Sequence, residues 1–128
     1  MCLVNETPTS IPEVIGYCVV DTSTDGNYVS CFFPRFNYLK HERYIAEYAL
    51  FRYSPNAVFK DYCYCGFHGF KSRSHAQKFR EGLFPRSTLV IVKCKFEDVL
   101  AEGETVIGVK FLPSFRAKYR TILEEIKE

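Results

Sequence analysis

The stretch YCYCGFHGFKSRSHAQKF, residues 62–79, changes its periodicity halfway along. Its first half alternates, as an extended strand does, with Gly66 and Gly69 marking a bulge or a close backbone approach. In its second half Ala76 and Phe79, continued by Leu83, fall on one face at helical spacing. Ser72 or Ser74 is placed to cap that helix and Gly82 to stop it. The segment STLVIVKCKF, residues 87–96, follows and is apolar at its centre, the pattern of a strand buried on both faces. Strand, capped helix over 72–82 and second strand therefore make up the middle of the chain.

Working outward, VIGYCVV (14–20) and YVSCFF (28–33) predict two paired strands, joined by the hairpin connection DTSTDGN (21–27) and ended by Pro34. Residues 1–13 read as an irregular lead-in, because Pro8 and Pro12 prevent a helix. In residues 40–53, Tyr44, Ile45, Tyr48, Ala49 and Phe51 suit a helix face while the aromatic content suits a strand, and the spacing favours a short helix. Residues 54–61, SPNAVFKD, form a loop on this reading. A turn is expected around Glu102, Gly103 and Glu104, leading into TVIGVKF (105–111), which Pro113 breaks. Tyr119, Ile122, Leu123 and Ile126 have helical spacing and predict a helix within 114–128. The expected architecture is a single α+β domain, mainly antiparallel sheet with one or two packed helices.

A length of 128 residues suits one such domain with a real core. The apolar fraction of 47%, with 12 Phe and 9 Tyr, excludes the disordered class. A net charge of +2 is too small to steer the whole protein to nucleic acid, so an anionic partner would need a local patch. The first 20 residues carry no basic region before their apolar stretches and are interrupted by Asn5, Glu6, Pro8 and Pro12, which predicts a cytoplasmic protein with no targeting segment. No apolar run approaches the length of a membrane span. Six cysteines in such a compartment are expected to be reduced. Cys18, Cys31, Cys63, Cys65 and Cys94, set among aromatic and β-branched residues, read as small core hydrophobes.

Residues 62–86 carry residue types suited to four chemistries. Cys63, Cys65 and His68 are soft metal ligands, with Cys2 or His75 available to complete a tetrahedron. However, a Cys-x-Cys pair in a strand spaces its thiols about 7 Å apart, and no second Cys-x-x-Cys knuckle closes a zinc site, so no metal or other cofactor is expected. A thiolate beside His68 or His75 could be a nucleophile, but the chain carries no local cysteine-hydrolase signature and no catalytic residue is assigned. Anion binding has the best local support. Lys71, Arg73, Lys78, Arg80 and Arg86 face only Glu81 in charge, and the cluster overlaps a helix N-terminus, whose unpaired N–H groups and dipole favour an anion. His68, Lys71, Arg73, Ser74 and Arg86 are the candidate ligand-binding residues. Nucleic acid would need stacking from Tyr64, Phe67 or Phe70, which a core of this composition claims first.

Several segments together resemble an uncharacterised family of small proteins of gut bacteria and their phages that begin Met-Cys-Leu. The pieces are MCL (1–3), the proline-bearing lead into GYCVV, SCFFPRFNY, GFHGFKS and LVIVKCKF. The chain departs from that pattern at Cys18, where members carry a lysine, and in lacking an Ile-Pro-Lys-Gly type of turn after VKC. The resemblance implies an origin more than a chemistry. With the small size and the missing catalytic signature, it leads to the expectation of a non-enzymatic binding protein, phage-encoded, that inhibits host defence by binding a defence protein or sequestering an anionic nucleotide signal. The order strand, GFHGF, capped helix, apolar strand is also similar to ADP-ribosyltransferase-like folds. That similarity implies an NAD pocket with His68 near the pocket aromatic, and a glutamate on a late strand, whereas Glu102 and Glu104 are expected in a turn. A protein-interaction module without catalysis is the third expectation.

Overall fold

The computed structural model describes residues 3–31, 37–46, 66–83 and 88–127. The expectations for Cys2, Tyr64, Cys63, Cys65 and Arg86, for the second half (47–53) of the helix over 40–53 and for the loop over 54–61 fall outside them. In chain order the elements are β1 (Leu3–Thr22), β2 (Tyr28–Val29), β3 (Asn37–Tyr38), β4 (Arg43–Ile45), β5 (Phe67–Gly69), α1 (Arg73–Gly82), β6 (Leu89–Ile107) and β7 (Lys110–Glu125). Among the described residues every strand pairing is antiparallel, in the order β3-β2-β1-β6-β7-β4, with β5 also on β7. The sheet curls until Phe70, just after β5, exchanges both backbone hydrogen bonds with Tyr17 of β1, each 2.8 Å long. The circuit β1, β6, β7, β5 and back to β1 makes a nearly closed, barrel-like sheet, with α1 packed against it.

Two-residue alternation sorts the side chains. Cys18, Val20, Val92, Cys94, Phe96 and Ile122 enter the core enclosed by the curl, whereas Val19, Leu89, Ile91 and Leu112 turn to the other face. There Ala76 and Phe79 of α1 cover them, with Phe79 against Phe70. The central strand is thus buried on both faces at its start, as its apolar run requires. The expected hairpin between β1 and β2 is present, with Gly26 at φ +86°.

Three expectations are corrected. Residues 1–13 are not an irregular lead-in, because β1 begins at Leu3 and pairs with β6 from there. Pro8 borders a register shift and Pro12 lies between paired residues, positions where a missing N–H breaks no ladder bond. Proline excluded the helix but not an irregular strand. Second, Glu102, Gly103 and Glu104 do not turn but continue β6. A Cβ on Gly103 would stand 2.7 Å from the Val4 carbonyl oxygen, so this glycine lets two backbones approach. The chain instead reverses at Gly108 and Val109, with Gly108 at φ +60°, the first central position at which a type II′ hairpin takes glycine.

Third, residues 110–125 form strand β7, not a C-terminal helix. Lys93 pairs with Glu124 and Cys94 with Ile122, so Leu123 is an extra residue at a bulge. That bulge interrupts the alternation and makes the apolar spacing imitate a helix. Likewise the described part of residues 40–53 includes a short strand, β4, on the edge of β7.

Candidate functional site

The junction from β5 to α1 carries four of the five residues expected to bind an anion. His68 pairs with Arg116 across β5 and β7, and its Nε2 is buried with no hydrogen-bond partner among the described residues. Burial, with positive neighbours including Arg116, pushes the imidazole down to about 3, so it is neutral at physiological pH. The residue as a whole is half-buried, with Nε2 on its interior side. Arg116 in turn donates to the Glu6 carboxylate.

The Lys71 ammonium is 2.8 Å from Glu102. Ser72 occupies the N-cap position, but its hydroxyl bonds the Ser74 hydroxyl at 2.8 Å and caps no backbone N–H. Arg73 is exposed in the first turn of α1, which holds no acidic residue. The structure thus places Lys71, Arg73 and Ser74 at one helix start, while Lys71 is already held by a carboxylate. Among the described residues no group of three or more histidine, cysteine or acidic side chains is arranged to hold a metal.

A second group of perturbed side chains lies inside the curled sheet. Arg120 of β7 is 6% exposed, and its guanidinium carbon sits 4.4 Å from the ring centroids of both Tyr38 and Phe67. Its Nη1 reaches Cys18 Sγ at 3.6 Å, and Cys18 Sγ is 3.6 Å from Cys94 Sγ. The hydrogen bond with Cys94, then the Arg120 charge, outweigh burial and bring the Cys18 thiol down to about 7. Burial and the neighbouring Cys18 push Cys94 well up. Both thiols are in the core, as expected. Reading 114–125 as a strand would have put Arg120 in phase with Ile122 and so on the core face.

A third feature is the tip of the β6–β7 hairpin. Val106 and Phe111 are paired across it and are 39% and 55% exposed, and Val109 in the turn is 93% exposed. The opposite face of the arm is closed by Leu112 and by Ile107, which lies against Gly82 of α1. Among the described residues no helix is long and apolar enough to cross a membrane.

No protein-family model matches the chain, and comparisons with curated proteins and with solved structures find no match.

Proposed function

We propose that this is a small binding protein that works by occupying a partner protein's surface, not by catalysis. The observation that carries the reading is the apolar hairpin tip, where Val106, Val109 and Phe111 stand exposed on an arm braced by α1. Exposed aliphatic and aromatic side chains clustered on a rigid projection suit a hydrophobic pocket on another protein. The family resemblance suggests the partner class, a component of host defence blocked by a phage-encoded inhibitor acting in the cytoplasm. A nucleotide signal is less favoured as the target, because Lys71 is engaged by Glu102.

The test is a two-hybrid or pull-down panel of host defence proteins against the wild type and a Val109→Ser, Phe111→Ser double variant, beside a thermal-shift screen with nucleotides. A defence protein bound by the wild type and lost from the double variant supports the reading. A blank panel, or binding that ignores the tip, rejects it. Stabilisation by a nucleotide would move the proposal to His68, Lys71, Arg73 and Ser74.

One observation favours the second reading, an NAD-using enzyme like the ADP-ribosyltransferases. Glu102 lies on strand β6 and its carboxylate meets Lys71 beside the GFHGF segment, so a late-strand glutamate is available after all. NAD left intact by the purified protein in cell lysate, with no labelled acceptor, removes it.

A further inference from the structure

Cys18 and Cys94 belong to the adjacent strands β1 and β6. Cys18 faces Val92 and Cys94 faces Gly16, so the two cysteines are diagonal neighbours on the core side of the sheet. Their sulfurs are 3.6 Å apart, and Arg120 Nη1 is 3.6 Å from the Cys18 sulfur. A guanidinium cannot shed its proton, and Nε and Nη2 of Arg120 are buried with no hydrogen-bond partner among the described residues. No carboxylate pairs with it among the described residues. A buried charge left unbalanced is costly, so the nearest acid among the described residues, the Cys18 thiol, supplies the counter-charge. Cys94 keeps its proton and shares it with Cys18. An attacking thiolate and a resolving thiol thus stand side by side.

We infer that Cys18 and Cys94 form a reversible redox pair, modified by small two-electron oxidants of the peroxide class. The Cys18 thiolate attacks one oxygen of hydrogen peroxide and the O–O bond breaks, leaving Cys18 as the sulfenic acid. The departing hydroxide takes a proton from solvent and leaves as water. The Cys94 sulfur then attacks the Cys18 sulfur, the S–O bond breaks, and the second hydroxide leaves as water with the Cys94 proton. Two thiols lose two electrons and one peroxide becomes two waters.

The oxidant reaches the site by local opening. Tyr38 and Phe67, the rings over the guanidinium, are carried by β3 and β5, which are only two and three residues long, and β3 ends the sheet. Such short elements open at far lower cost than the whole fold. Closing the bond has a structural consequence. Diagonal neighbours have Cα atoms about 7–8 Å apart, beyond the usual disulfide span, so β1 and β6 must shift. Strained disulfides of this kind are readily reduced. Oxidation also strips Arg120 of its counter-charge, and this loosens its contacts with Tyr38 of β3 and Phe67 of β5.

The full chain is treated with hydrogen peroxide, alkylated and mapped by mass spectrometry. A Cys18–Cys94 linked peptide is expected, reversed by dithiothreitol and absent from Cys18→Ser and Cys94→Ser. In Cys94→Ser, dimedone should label Cys18. Arg120→Met should slow Cys18 oxidation at pH 7 roughly five- to ten-fold, the loss of thiolate being partly offset by its greater nucleophilicity. Should that variant fail to fold, thiolate absorbance decides: the wild type minus Cys18→Ser difference should titrate near neutrality. Peroxide that oxidises other cysteines in the folded chain and leaves Cys18 untouched overturns the inference. So does a disulfide from Cys18 to any cysteine but Cys94, or a difference titration confined to pH above 9.

Discussion

A Cβ atom on Gly69 would stand 2.5 Å from Cζ of Phe96, closer than any real contact allows. Gly69 and Gly16 leave the space in which Phe96 meets Phe115 edge to face at 4.8 Å. Gly69→Ala should therefore cost about 1–3 kcal/mol, the usual penalty of overpacking a filled core. Denaturant unfolding gives the value directly. An unchanged midpoint would mean that the two rings can yield and that the barrel interior is not tightly packed.

His68 makes the fold acid-sensitive. Its folded value of about 3 lies below the ordinary 6.5, so above 6.5 the group is neutral in both states and costs nothing. Below 6.5 the unfolded chain takes up a proton that the folded chain refuses, and stability falls by up to about 1.4 kcal/mol per pH unit until about pH 3. Unfolding free energies measured at pH 7, 6, 5 and 4 should show this slope. His68→Gln should flatten it, and parallel slopes for the two proteins would rule His68 out as the cause.

Cys18 acts on the opposite side of neutrality. Its folded value of about 7 lies below the ordinary 9.0, so its contribution is fully present above the unfolded value and is lost as pH falls through 7. Kept reduced, the wild type should gain stability over Cys18→Ser between pH 7 and 9, by at most about 1.4 kcal/mol per unit. Above pH 9 Cys94, held protonated by burial and by Cys18, opposes any further gain. A constant difference between the two proteins over this range would show that Cys18 folds as a neutral thiol.

Ser72 holds the N-cap backbone position of α1 without capping it through its side chain. Ser72→Ala should accordingly cost only a few tenths of a kcal/mol, well short of the usual cap loss of about 1 kcal/mol. Ser72→Asp should stabilise by about 0.5–1 kcal/mol, because its carboxylate can accept from the free N–H groups and meets the positive end of the helix. Thermal melts of the three proteins rank them; a large loss in the alanine variant contradicts the geometry.

Val109 is almost fully exposed, and Phe111 is more than half exposed. Serine at both positions should leave unfolding free energy within about 0.5 kcal/mol of wild type. That neutrality makes the double variant a clean probe of binding. A markedly destabilised variant would instead make the tip part of the fold's own packing.

The β5-to-α1 change of period, the β1–β2 hairpin and the doubly buried start of β6 were legible in residues 14–31 and 66–96, because each is a local pattern of two or 3.6 residues. Gly69 also announced its close approach, though not to which ring. The long strands were harder. Bulges at Leu123 and beside Pro8 break the alternation that identifies a strand, and Gly103 copies a turn signal while serving a backbone contact with Val4.

What the sequence determined by itself was the class of the fold, a mostly antiparallel sheet with a helix, since that follows from patterns within single segments. Only the tertiary structure decided where the charges went. Cys18 is 76 residues from Cys94 and 102 from Arg120 along the chain, and no local period relates them. The curl of the sheet brings them into one dry space, where Arg120 must keep its charge and Cys18 is the group able to answer it.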